Sequence, residues 1–135
     1  MSFKPIETQK NEKGQITYVK YSNGLERWKE YNEYNRVTHI KYSDGCEVWL
    51  DYYENTDRLV HYKNSDGFEM WNDYDNNGNV IHYRNSDGFE TWNKYDKNNN
   101  FICYKDNTGV ERWNVRGYKR FIYKIKSFIK RIFNK

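Results

Sequence analysis

Between residues 15 and 118 the apolar positions come in short runs, each closed by a polar cluster, most containing Gly. Val80-Ile81-His82-Tyr83-Arg84 and Phe89-Glu90-Thr91-Trp92-Asn93-Lys94-Tyr95 are β-branched and aromatic, and Asn85-Ser86-Asp87-Gly88 joins them. Runs of this length and composition between turn residues predict strands. The junction suits a type I turn followed by Gly in the left-handed region, the three-residue hairpin loop with a G1 bulge. Asp and Ser favour such a turn, and Gly adopts positive φ without steric cost. Asp75-Asn76-Asn77-Gly78-Asn79 then turns the chain back. One such unit is a hairpin.

The unit recurs. "NSDGFE" stands at 64–69 and at 85–90, with variants at 21–26, 42–47 and 106–111. Gly24, Gly45, Gly67, Gly88 and Gly109 are spaced 21, 22, 21 and 21 residues apart, each followed four residues later by Trp28, Trp49, Trp71, Trp92 or Trp113. A fixed period of this size marks a repeat architecture. The extra residue falls in Glu54-Asn55-Thr56-Asp57-Arg58, between units, where a loop tolerates insertion. Three loop residues place Lys20, Lys41, Lys63, Arg84 and Lys105 opposite Glu26, Glu47, Glu69, Glu90 and Glu111. Opposed charges support this register by about 0.2–1 kcal/mol per pair. A lone hairpin is marginal in water, so repetition supplies the neighbours that each unit lacks.

The expected fold is therefore all-β: a tandem β-hairpin repeat array of five ~21-residue units in an antiparallel meander. Rings fall on both strand faces, Tyr83, Phe89 and Tyr95 on one and Trp92 on the other. That suits a curled or spiral sheet better than a sandwich with one dry side. The second turn's length is left open. Three segments follow: an N-terminal extension at 1–14, the repeat domain at 15–118, and a tail at 119–135.

The tail changes period. Phe121, Ile122, Ile125, Phe128, Ile129, Ile132 and Phe133 fall on one face of an α-helix, with Lys119, Arg120, Lys124, Lys126, Lys130 and Arg131 around it. Gly117 marks a break from the last strand. Three uses of a basic amphipathic helix compete: capping the sheet, lying on an anionic membrane surface, or docking with a partner or second copy.

Charge sharpens the division. Of 23 basic groups in 135 residues seven lie in 119–135, which has no acidic group, so residues 1–118 hold 16 basic against 19 acidic groups. This mildly acidic body argues against a nucleic-acid partner. Mean hydropathy of −1.24 would admit disorder, but 5 Trp, 14 Tyr and 7 Phe argue for packing through aromatic rings. The absence of Ala beside abundant Asn, Lys, Tyr and Ile reads as an AT-rich genome, such as a low-GC bacterium or its phage. The start has no apolar core of a secretory signal, and no stretch reaches the ~18 apolar residues of a membrane span. Cys46 and Cys103 sit at different repeat positions, which suits two reduced thiols in a cytoplasmic protein.

Candidate chemistry is sparse. His39, His61 and His82 share one repeat position, filled by Tyr18 and Cys103 in the outer copies. As a ladder they could hold a metal, but equivalent positions two strands apart are roughly 9–10 Å distant. Packing against Trp explains them better. The five Glu have cross-strand bases, and no Ser-His-Asp, phosphate-loop or metalloprotease pattern appears. Neither enzymatic activity nor a cofactor or metal is expected. The face carrying Trp28, Trp49, Trp71, Trp92, Trp113, His39, His61 and His82 is either the aromatic core or a binding platform.

The unit "YDNNGNVIHYRNSDGFETWNKYD" (74–96) resembles the YD repeats of Rhs and teneurin-type proteins, through Tyr74-Asp75, Tyr95-Asp96 and the two turn glycines between. Tyr52-Tyr53 and Tyr31-Asn32 are degraded versions of the pair, and Gly78-Asn79 replaces the usual Gly-Arg. A more distant resemblance is to MORN-type hairpin repeats. The likeness implies a hairpin array used for enclosing or binding. The function expected is a non-enzymatic interaction protein that binds a protein partner or self-associates, as an inhibitor or adaptor. The alternatives are a protein peripheral to the membrane, anchored by 119–135, and a glycan or small-ligand platform on the Trp face.

Overall fold

The computed structural model describes residues 3–114. Eleven antiparallel strands form one open sheet in which spatial order follows chain order. They are β1 (Pro5–Lys10), β2 (Ile16–Tyr21), β3 (Glu26–Tyr31), β4 (Val37–Tyr42), β5 (Glu47–Tyr52) and β6 (Leu59–Asn64). β7 (Glu69–Tyr74), β8 (Val80–Asn85), β9 (Glu90–Tyr95), β10 (Phe101–Asp106) and β11 (Glu111–Trp113) complete it. β2 onwards make the five expected hairpins. β1 lies within the segment that the sequence sets apart as an extension, and pairs with β2 through Thr8 opposite Val19. The helix expected over 119–135, with its Phe/Ile stripe and basic residues, lies outside the described residues.

The turn chemistry explains the hairpins. In the third unit Asn64 N–H donates to Phe68 C=O at 3.0 Å and Gly67 N–H to Asn64 C=O at 3.2 Å, with Gly67 at φ 91°. Asn64 Oδ1 also accepts the Asp66 and Phe68 amides at 3.1 and 3.0 Å. The second turns at 32–36, 75–79 and 96–100 use the same geometry, while the longer turn at 53–58 places Glu54 at φ 45° instead. Asp75 Oδ1 accepts Asn77 and Asn79 amides at 2.9 Å each, and Gly78 takes φ 86°. Asn35 and Asn99 fill that left-handed position at φ 67° each, which Asn tolerates.

All five base–acid pairs are register partners. Four close as ion pairs: Lys20–Glu26 at 3.5 Å, Lys41–Glu47 at 3.7 Å, Lys63–Glu69 at 3.4 Å and Lys105–Glu111 at 3.5 Å. The Arg84 guanidinium lies instead over the Trp71 ring on the neighbouring unit, 5.1 Å from its centroid.

Side-chain hydrogen bonds clasp units to the ones before them at the first turns and close individual hairpins at the opposite edge. On the first-turn edge, Ser65 N–H donates to Glu47 C=O at 2.9 Å and its Oγ accepts the Glu47 amide at 2.9 Å. Ser43 and Ser86 repeat this on Glu26 and Glu69, and Asn107 Oδ1 does the same for Glu90. At the other edge each hairpin closes its own open end: the Tyr31, Tyr52 and Tyr74 hydroxyls donate to the carbonyls of Ile16, Val37 and Leu59 on the partner strand at 2.7–2.9 Å.

No second layer covers this sheet among the described residues. Val19, Cys103 and Thr91 alone are buried there, at 3, 6 and 7% exposure. The remaining side chains shelter one another in cross-strand rows, so stabilisation is spread over many half-buried contacts.

Candidate interaction face

Strand alternation sorts the side chains into two faces. One, here the front, carries Trp, His, Lys, Glu and Asp. The back carries Ile40, Val48, Leu50, Tyr62, Met70 and Tyr83, with Arg27 and Lys29 at one end and Arg112 at the other. Tyr83 meets Phe89 edge-on at 6.3 Å and Tyr62 meets Phe68 at 6.1 Å, on the side opposite the Trp row, as their strand positions require.

Pairing within a hairpin and pairing between hairpins differ by two residues. Lys63 faces Glu69 within its hairpin but Trp49 across the join, and Asp51 faces His61. The front face therefore reads in rows across five strands. Asp51–His61–Trp71–Arg84–Glu90 is one. Glu30–His39–Trp49–Lys63–Glu69 precedes it, and Asp73–His82–Trp92–Lys105–Glu111 follows. Every row is a carboxylate, an imidazole, an indole, a cation and a carboxylate.

The imidazoles stack on the indoles. Ring centroids are 5.3 Å apart for His39–Trp49, 5.2 Å for His61–Trp71 and 5.4 Å for His82–Trp92, with planes within 11° of parallel. His61 sits between Asp51 Oδ2 on Nδ1 and Glu69 Oε2 on Nε2, both at 3.0 Å. His39 has Glu30 at 3.5 Å and Glu47 at 2.9 Å. His82 binds Asp73 at 3.1 Å, and its buried Nε2 has no hydrogen-bond partner. The His61 hydrogen bond holds the Glu69 carboxyl below its ordinary value, with Lys63 adding to the effect and partial desolvation opposing it.

This geometry narrows the chemistry. Trp71 has His61 on one side and Arg84 on the other, so the flat surfaces a sugar or base would stack on are already occupied. The other indoles remain partly accessible: Trp28, Trp49, Trp92 and Trp113 are 37–43% exposed. Beside the indoles stand Glu30, Asp51 and Asp73, each about 70% exposed and repeated at roughly two strand spacings, ~9–10 Å. Trp28, Glu30, His39 and Lys41 line a cleft of about 470 Å³ between the first two units. A related cleft of about 300 Å³, with Trp71, Asp73 and Arg84 in its lining, recurs further along. Among the described residues no cluster of three or more His, Cys, Asp or Glu could hold a metal ion, and Cys46 and Cys103 are both free.

Trp113 lies at the exposed last strand with Lys105 5.8 Å from its ring, and has no imidazole beside it. Two sets of contributors escape the sequence reading. Glu30, Asp51 and Asp73 stand two residues after a Trp, a spacing visible in the repeats. The turn serines act on the preceding unit, which no local pattern shows.

No protein-family model matches the chain, and no curated protein matches it. Chains of solved Tc toxin assemblies share part of its backbone path. The crystal structure of TcdB2-TccC3-TEV matches at 15% identity over 72% of this chain and 7% of that chain, with a TM-score of 0.48. That of TcdB2-TccC3-Cdc42 matches at 16% identity over 72% and 7%, with a TM-score of 0.41. A structure of the Photorhabdus luminescens Tc holotoxin pore matches at 16% identity over 72% and 6%, with a TM-score of 0.39. The chain thus spans less than a tenth of the length of those chains.

Proposed function

We propose that this protein is a non-enzymatic interaction module whose front face binds another protein. The observation that carries this reading is the Trp row itself. Trp28, Trp49, Trp92 and Trp113 stay more than a third exposed on an open sheet, and Trp49 and Trp92 among them sit in the repeated row of acid, imidazole and cation. A repeated aromatic surface flanked by both signs of charge suits a protein partner, since Trp anchors and charged rims dominate such interfaces. The covered faces of Trp71 and the imidazoles stacked on Trp49 and Trp92 count against a glycan platform, and exposed acids in the row count against nucleic acid. The two-residue stagger per hairpin is the kind of shear that accompanies tilted, coiling strands, so the sheet is read as curled, in keeping with the YD-repeat resemblance. In a low-GC bacterium or its phage, such a module would act as an inhibitor or adaptor in the cytoplasm.

The test compares capture by the wild-type chain with capture by Asp51→Lys/Asp73→Lys, two exposed acids whose replacement leaves the strands paired. A specific partner retained by wild type and lost by the variant supports the reading. Recovery of the same proteins by both chains, with strictly monomeric light scattering for each, contradicts it.

A further inference from the structure

The back face is apolar in the middle and cationic at its ends. Ile40, Val48, Leu50, Tyr62, Met70, Tyr83 and the turn-side Phe68 and Phe89 span β4 to β9, only half-buried and with no layer over them among the described residues. Arg27 and Lys29 on β3 and Arg112 on β11 bound that stretch. Burial, with Arg27 beside it, pushes the Lys29 ammonium below its ordinary value.

We propose that residues 119–135 of this same chain are the second layer over β4–β9. The dimensions agree. Five inter-strand gaps span about 24 Å, and 17 helical residues would span about 26 Å. Residues 114–118 can reach up to roughly 17 Å, more than the two strand spacings from β11 to β9. Charge agrees as well. The turn tips rimming the sheet carry exposed Asp44, Asp66 and Asp87, none of them in an ion pair among the described residues. A Phe/Ile stripe laid along the middle would direct lysines and arginines of the tail outward towards this rim. It would also keep them off the cationic ends. Burial of the stripe against half-buried aliphatic groups supplies the attraction.

Met70 reports on this directly, since it is the one methionine among the described residues. With methyl-labelled methionine in the full chain, the Met70 methyl should show nuclear Overhauser contacts to side chains of the 121–133 stripe, resolved from those of Phe68 and Phe89 and unchanged on dilution. Ile125→Asp/Phe128→Asp should abolish those contacts and shift the methyl signal, whereas Lys126→Gln, off the stripe, should change neither. A Met70 signal identical in wild type and the stripe variant overturns the proposal. So do contacts that vanish on dilution, which assign the face to a second copy. Contacts that form only with anionic vesicles overturn it too, since the tail would then be a membrane anchor. Failure here leaves the front-face reading standing, because the two surfaces share no side chain.

Discussion

Ser65 occupies a turn but acts on the unit before it. Its Oγ is the acceptor for the Glu47 amide, so Ser65→Ala should leave that donor without its partner and lower stability by about 0.5–1.5 kcal/mol. Ser65→Asn should recover most of the loss, because Asn107 performs the same task in the last unit. Urea midpoints of the three chains check both statements, and equal loss in both variants would show that the turn alone is at stake. The turn carboxylates give the pH dependence. Side-chain and backbone hydrogen bonds from Asn79 hold Asp75 below its ordinary value, the backbone of Asn100 does so for Asp96, and the Thr108 hydroxyl for Asp106. A carboxyl depressed on folding contributes stability above its unfolded pKa of about 4, lost as pH falls through the folded value. Acid unfolding should therefore set in below about pH 4. Asp75→Asn and Asp96→Asn should move it to lower pH, since Asn11 and Asn32 make the same turn without titrating. An unchanged acid midpoint would remove these carboxyls from the explanation. Tyr52 and Tyr74, whose hydroxyls donate across the open ends of their own hairpins, are pushed above their ordinary value by burial. Their contribution should persist at neutral pH and fade as pH rises through the folded values, above about 10.

At the scale of strands and hairpins, the repeat is a modular part. Deleting residues 64–84 joins Lys63 to Asn85 and restores the same local sequence, so every remaining strand keeps its face and register. The shortened chain should stay folded and all-β by circular dichroism, with lower stability, because each unit contributes mainly through its neighbours. Deleting 64–73 should unfold it, since the odd half-unit removes a strand and a turn from the alternation. Equal behaviour of the two deletions would contradict the modular account. The turns and the in-hairpin register were legible in the residues, because Gly at the left-handed position and opposed charges are local signals. The stagger between hairpins was not. It depends on pairing such as Trp49 with Lys63 and on the clasp of Ser65 on Glu47, which join residues 14 and 18 apart. β1 was hidden for a related reason. It has no Trp and no "NSDG" turn before it, and only Asn11 to Gly14 marks the turn that brings it into the sheet. Arg84 shows the limit of reasoning from register alone: it faces Glu90 yet lies over Trp71.

For the molecule as a whole, the described residues make a sheet whose cohesion comes from rows rather than from a buried centre. Along the hydrogen-bonding direction its ten gaps cover about 48 Å, more strands than an open sheet usually carries without curling. Of the site residues expected from sequence, the five Trp and three His do share one face, and the tail residues lie outside what the structure describes. The continuous row is the most exposed claim, because it requires both kinds of strand pairing at once. The direct test is a nuclear Overhauser experiment on the Trp71 indole in the full chain. Contacts to the His61 ring on one side and to the Arg84 side chain on the other are the expected result. Contact with His61 alone would leave an isolated hairpin, and contact with neither would remove the sheet on which every further inference stands.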